Sequence, residues 1–151
     1  MSDDYVDDAT FLAVMGTFPS GVTVVTTRDG EGAPAGFTCS AICSVSRKPP
    51  LLLACVNDRS PALRTIRESG LFAVNFLRDN REGISTTFAS PGLRFESVIW
   101  HPTRRLGLPW LPQDTIAYAD CRAWRIIEAG DHAVLIGAVV DGLVRDEVSA
   151  R

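Results

Sequence analysis

Three short stretches of this 151-residue chain carry residue types able to do chemistry. The first is Gly36-Phe37-Thr38-Cys39-Ser40-Ala41-Ile42-Cys43-Ser44-Val45-Ser46. In extended backbone a period of two puts Thr38, Ser40, Ser44 and Ser46 on related faces, subject to any bend between them. A row of short hydroxyl side chains leaves room for a flat ligand against the main chain. The hydroxyls and exposed amides can meet a ring's carbonyl and imide groups. An ordinary half-exposed strand has the same composition.

The second stretch is Cys55-Val56-Asn57-Asp58-Arg59-Ser60-Pro61, where a buried strand feeds a helix. The first turn of a helix has unpaired N–H groups and a partial positive charge, so it attracts an anion. Ser60 adds a hydroxyl, Arg59 a guanidinium and Asn57 an amide donor. This reads as a phosphate seat; read alone, Ser60 equally fits a residue that caps its own helix. The third stretch is Gly130-Asp131-His132. A histidine at the start of a strand can touch a ligand, donate a hydrogen bond or move a proton. It also fits a turn histidine bonded to nearby backbone. His101, beside Trp100 and Pro102, carries no assigned role.

Other chemistries lack their residues. There is no GxSxG elbow and no HExxH. The carboxylates follow no helical spacing that would aim two of them together. Cys39, Cys43, Cys55 and Cys121 form no CxxC pair and no zinc pattern, so no metal is expected and the thiols read as small hydrophobes in a reducing compartment, with a redox or ligand role for Cys39 as the alternative.

The elements that must position these stretches are mostly strands. Val22 to Thr27, Phe37 to Ser46, Leu51 to Asn57, Leu71 to Leu77, Ile116 to Glu128 and Ala133 to Arg145 read as strands, the last two long enough for a barrel. Asp29-Gly30 and Ala129-Gly130-Asp131 read as turns. Helices are expected from about Thr10 to Phe18, capped by Asp8 or Thr10, with Phe11, Leu12, Val14, Met15 and Phe18 on its apolar side. A second runs from Ser60 to Ser69, with Pro61 in its first turn and Gly70 past its end. A third runs from Asn80 to Ala89. Many strands without regular strand–helix alternation, and no GxGxxG after the first of them, indicate a β-barrel over a Rossmann sheet.

The composition sets bounds. Hydrophobic residues are 46% and charged residues 22%, enough apolar surface for a core without disulfides or a metal. The length indicates one domain over 9–151, after a flexible acidic lead at 1–8. No apolar run is long enough for a membrane helix, and the MSDDYVDD lead lacks the basic residues of a secretory signal, so a cytoplasmic protein is expected. The net charge of −3 argues against a general nucleic-acid or anionic-membrane binder. For the same reason Trp100, Trp110 and Trp124 read as core or interface residues.

Five segments, taken in order, resemble the flavin reductase family with the FMN-binding split-barrel fold. They are FPSGVTVVTT (18–27), GFTCSAICSVSRKPPLLLACVN (36–57), SGLFAVNFL (69–77), TTFASPGLRF (86–95) and AGDHAVLIGAVVD (129–141). The resemblance implies a mainly β Greek-key split barrel with a few short helices, forming a homodimer with flavin near the subunit interface. It implies reduction of free FAD or FMN by NADH or NADPH, with reduced flavin diffusing to a partner monooxygenase or halogenase. It places the flavin ring and ribityl chain near Gly36, Thr38, Cys39, Ser40 and Ala41, and the phosphate at Cys55, Val56, Asn57 and Ser60. Phe88 and Ala89, with Arg94 nearby, would line the flavin or nicotinamide pocket, and His132 would sit by the nicotinamide nucleotide. Ala41 stands where the family often has a second serine, and Pro61 lies where it often has a Ser or Thr nearby. Relatives continue past the position of Arg151 with a tyrosine- and arginine-rich segment over the nucleotide site. The same fold also hosts proteins that hold flavin tightly as oxidases or electron carriers, pyridoxamine-phosphate-oxidase-like enzymes, and non-catalytic flavin-binding modules.

Overall fold

The computed structural model describes residues 4–79, 82–89 and 95–145. One seven-stranded antiparallel sheet dominates it. Its strands are β1 (Thr23–Arg28), β2 (Pro34–Cys39), β3 (Ile42–Arg47), β4 (Pro50–Asn57), β5 (Leu71–Leu77), β8 (Thr115–Ala129) and β9 (His132–Val144). They lie in the order β2-β1-β5-β8-β9-β4-β3. A two-stranded ribbon, β6 (His101–Pro102) with β7 (Pro109–Trp110), was not legible in the sequence. Helices α1 (Asp8–Met15), α2 (Pro61–Ser69) and α3 (Glu82–Ala89) complete the described elements.

The sheet has to curl. Strands β2 and β3 are its two edges, yet only Ser40 and Ala41 join them. At about 3.8 Å per Cα step, that link spans roughly 11 Å. Six strand spacings of about 4.8 Å would part the edges by roughly 29 Å if the sheet lay flat. The edges therefore meet at the Ser40–Ala41 corner, where the Cys55 amide donates to the Ala41 carbonyl at 3.1 Å. This corner also corrects the single Phe37–Ser46 strand read from sequence. The chain bends at Ser40–Ala41, so the hydroxyl row is two rows on two strands.

The curl encloses a core of Val25, Phe37, Leu52, Ala54, Val56, Phe72, Val74, Cys121 and Leu135. Helix α2 closes one side of it with Ala62, Leu63 and Ile66. Its limits follow from local chemistry: Pro61 lacks the N–H that a first turn leaves unpaired, and Gly70 adopts the left-handed C-cap conformation at φ 71°. A smaller cluster, Val24, Phe88 and Leu111, holds α3 against the other face of β1. Phe88 meets Phe95 edge to face, with ring centroids 4.9 Å apart. Behind β1, fully buried Asn75 ties the β7 segment down. Its amide donates to Thr26 Oγ1 and to the Pro109 carbonyl, both at 3.2 Å, and its Oδ1 accepts the Leu111 amide at 3.1 Å.

Helix α1 begins earlier than its apolar pattern suggested. Asp7 is the N-cap, its Oδ1 accepting the Thr10 amide at 2.8 Å, in place of Asp8 or Thr10. The helix ends at Met15, short of Phe18. Phe11, Leu12, Val14, Met15 and Phe18 are all more than half exposed, so the apolar side covers no core in the single chain. For the third helix, Asn80 lies outside the described residues and α3 starts at Glu82.

Asp120 on β8 is fully buried. Its Oδ2 accepts the Leu106 amide at 3.1 Å, and its Oδ1 has no hydrogen-bond partner among the described residues. Burial pushes its carboxyl above the ordinary carboxylate range, and the charge of Asp141, opposite it on β9, adds to this. Hydrogen bonds from Thr103, Leu106 and Arg105 oppose the shift. Asp141 itself is held below its ordinary value by the Arg104 guanidinium, 2.8 Å away. A carboxyl with a raised folded pKa binds its proton more tightly in the native state. Its contribution is complete below the ordinary carboxylate value of about 4 and is lost as pH rises through the raised value. Asp120→Asn is therefore expected to remove a fall in stability that sets in as pH rises above about 4, read from urea denaturation midpoints at increasing pH.

Candidate functional site

The Ser40–Ala41 corner forms one wall of a cavity of about 590 Å³. Phe37, Thr38, Cys39, Ser40 and Ala41 line that wall. Cys55, Val56 and Asn57 line the facing wall from the end of β4. Arg59, Ser60 and Pro61 close one end at the start of α2, and Phe88 of α3 and His132 of β9 complete the lining. The three stretches singled out in the sequence thus converge on one space. They do so because β9 lies beside β4 with Asn57 opposite His132, and because the Asp58 amide donates to the Asp131 carbonyl at 3.0 Å. That bond pins the β8–β9 turn, with Gly130 at φ 61°, to the mouth of α2.

The α2 end of the cavity is built for an anion. No acidic residue sits in the first turn, so the positive end of the helix is not neutralised there. Ser60 is the N-cap by backbone geometry, yet its side chain makes no capping hydrogen bond. The reading of Ser60 as a cap for its own helix therefore fails, and its hydroxyl is available to a ligand. Asn57 Oδ1 accepts the Arg59 amide at 2.9 Å, which leaves the Asn57 NH2 group as donor.

The walls are neutral. The Cys39 thiol is pushed up by burial, and it donates to the Cys55 carbonyl at 3.3 Å and the Ala41 carbonyl at 3.7 Å. The Cys55 thiol is also raised, first by burial and then by Cys43. Neither is a thiolate at neutral pH, so the site holds no sulfur nucleophile. At the far side His132 Nδ1 lies 2.7 Å from Asp131 Oδ1. The same contact holds the exposed Asp131 carboxyl below its ordinary value. With Nδ1 engaged, Nε2 is the nitrogen left to meet a ligand.

One of the expected site residues is not among those lining the cavity. Gly36 does not line the cavity. A Cβ there would stand 2.9 Å from the Val25 carbonyl oxygen and 3.3 Å from Phe95 Cζ, so the glycine serves close packing under Phe95. Ala89 ends α3. Arg94 lies outside the described residues. Ser44 and Ser46, on β3 beyond the bend, are likewise outside the wall. Phe37 is a lining residue that sequence reasoning did not single out, because a phenylalanine among small residues in a strand reads as core. Among the described residues no three His, Cys, Asp or Glu side chains gather as a metal site, and no helix is long and apolar enough to cross a membrane.

A space of this size, with small neutral polar walls, an anion-attracting end and one imidazole, suits a flat heterocycle bearing a phosphate. Comparison with known proteins agrees. The model of the flavin reductase like domain matches residues 15–151. A flavin reductase (NADH) from Kitasatospora aureofaciens is 51% identical over 144 residues, covering 95% of this chain and 75% of that protein. A probable flavin reductase from Rhizobium meliloti is 40% identical over 142 residues, and there the match takes in 92% of this chain but only 44% of the relative. The reductase subunit HsaB of a flavin-dependent monooxygenase from Mycobacterium tuberculosis is 36% identical over 135 residues, covering 89% of this chain and 71% of the subunit. The solved NADH:FAD oxidoreductase SgcE6 of Streptomyces globisporus, in complex with NAD and FAD fragments, superposes with a TM-score of 0.84 at 32% identity, over 93% of this chain and 86% of that one. A match over nearly the whole chain, in sequence and in backbone, leaves one assignment: this protein belongs to the flavin reductase-like domain family.

Proposed function

We propose that this chain reduces free FAD or FMN with NADH or NADPH and releases the reduced flavin to a separate flavin-dependent monooxygenase or halogenase. The observation that carries this reading is the cavity that runs from the small-residue corner to the uncapped N-terminus of α2. The named activities of its relatives support it. When both are bound, the reduced nicotinamide supplies a hydride and the flavin ring accepts it.

The residues of the chain have binding and orienting work to do, with no nucleophile required. Thr38, Cys39, Ser40 and Ala41 present small side chains and main-chain groups to the flavin ring and ribityl chain. Cys39 contributes a neutral stretch of wall, since its thiol is turned to the Cys55 and Ala41 carbonyls. Cys55, Val56, Asn57 and Ser60 seat the phosphate nearest the ring. Phe88 bounds the ring pocket, with Ala89 and Arg94 nearby. His132 presents Nε2 to the nicotinamide nucleotide. Holding the two rings face to face turns a bimolecular transfer into one between neighbours. Two copies of the chain associate, which covers the exposed apolar side of α1. FAD is the preferred flavin, in keeping with the FAD fragment in the SgcE6 complex.

The test follows loss of the reduced-nicotinamide absorbance with each nucleotide and with FAD, FMN or riboflavin in turn. Consumption dependent on added flavin supports the proposal. A yellow protein that retains its flavin through purification and ignores added flavin supports a prosthetic-group flavoprotein, and binding without turnover supports a non-catalytic module.

A sharper expectation concerns Ser60. A hydrogen bond to a charged phosphate contributes about 1.5–3 kcal/mol, so Ser60→Ala should raise KM for FMN or FAD roughly tenfold or more. Riboflavin, which has no phosphate, should show little change. The melting temperature should hold, because Ser60 makes no capping bond to lose.

A further inference from the structure

Strand β2 ends at Cys39, and its carbonyl is taken from inside the barrel. The buried Thr23 hydroxyl on β1 donates to the Cys39 carbonyl oxygen at 2.6 Å. Thr23 and Cys39 are also direct partners in the β1–β2 ladder. The Cys39 C=O is therefore fixed toward β1. A trans peptide is planar, with its C=O and N–H on opposite sides. The N–H of Ser40 must then point away from β1, out of the open edge of the sheet. That edge is where the cavity lies between β2 and β4. Among the described residues no protein carbonyl takes the Ser40 N–H.

We infer that Thr23 is a positioning residue for flavin: by holding the Cys39 carbonyl it aims the Ser40 amide into the cavity as a donor to an acceptor atom of the bound ring. This rests on the proposed function above and deepens it. Thr23 itself does not line the cavity. Its effect passes through one peptide plane, and the Cys39 thiol, bonded to the carbonyls of Cys55 and Ala41, steadies the next turn of the chain. Without the hydroxyl, the Cys39 carbonyl keeps only its ladder pairing with Thr23, and the last peptide of β2 is less firmly held. The donor is then spread over orientations in place of one.

The test uses steady-state kinetics of Thr23→Val, Thr23→Ala and Thr23→Ser, with FMN and FAD varied at saturating nucleotide. Thr23→Val keeps the shape and loses the hydroxyl, while the Ser and Ala variants differ by the hydroxyl alone. The Val and Ala variants should raise the flavin KM about five- to tenfold with kcat within about twofold, and Thr23→Ser should stay near the original enzyme. An unchanged flavin KM in Thr23→Val, or a Ser variant no better than Ala, overturns the inference. A general loss of packing would lower kcat and melting temperature together and would not be rescued by serine alone.

A second measurement needs no variant and covers the case in which Val and Ala fail to fold. In the intact protein labelled with 15N, addition of oxidised FMN should move the Ser40 amide proton clearly downfield, and an unmoved Ser40 signal at saturating FMN overturns the inference. Failure of the underlying reading looks different: the original protein would then consume no nucleotide with any flavin, whatever the Ser40 signal does.

Discussion

Ala41→Trp should reduce kcat/KM for flavin reduction by at least about a hundredfold and leave the melting temperature within a few degrees. Ala41 is exposed and lines the cavity at the corner, and its main chain does the structural work by accepting the Cys55 amide. The substitution keeps that carbonyl and adds an indole with nowhere to go but the cavity or the solvent in front of it. An indole fills much of the thickness that a stacked tricyclic ring needs. A hundredfold loss corresponds to about 2.7 kcal/mol of transition-state stabilisation, less than the burial of one large aromatic face can provide. The check is a saturation curve in FMN with a parallel thermal melt. Normal turnover by the folded variant would place flavin elsewhere on the molecule.

Gly137→Ala should lower stability by about 3 kcal/mol, or roughly 6–12 °C in melting temperature for a chain of this size. Gly137 lies on β9, opposite Leu52 on β4 and Ala123 on β8. A Cβ at this position would stand 2.5 Å from Phe72 Cζ and 2.9 Å from Cys121 Cβ. Carbon atoms prefer about 3.5–4.0 Å. Phe72 and Cys121 are both fully buried, so the ring has no room to retreat, and a Cβ cannot move without its strand. A thermal melt checks the value. Adding Phe72→Leu to Gly137→Ala should recover part of the loss, because the two positions compete for one space and their effects should not add.

Local signatures were legible where the chemistry is local. Leu71–Leu77 was read with its final limits, since an apolar run between Gly70 and a polar stretch has one reading. Helix α2 announced itself through Ser60, Pro61 and Gly70. The bend at Ser40–Ala41 was not legible, because small residues alternate with apolar ones on both sides of it and no glycine or proline marks the break. Nor was the exposure of α1: an apolar run predicts burial but does not say whether the cover comes from the same chain. The three site stretches each carried a signal, but their meeting depends on the order of strands in the sheet, which no local pattern contains. Gly36 shows a different limit. A glycine in a small-residue row looks the same whether the missing side chain makes room for a ligand or for Phe95.

The two-residue link between the edge strands has a consequence for how the molecule responds to what it binds. The residues that hold the cylinder shut are among those that wall the binding space, so an occupant touching both Ser40 and Asn57 acts as a clasp between the corner and β4, the stave next to the far edge. At one hundred times its dissociation constant, such an occupant adds about 2.7 kcal/mol to the folded state. Empty protein should thus be the looser form, most easily prised apart along that seam, and each turnover would tighten and then relax it.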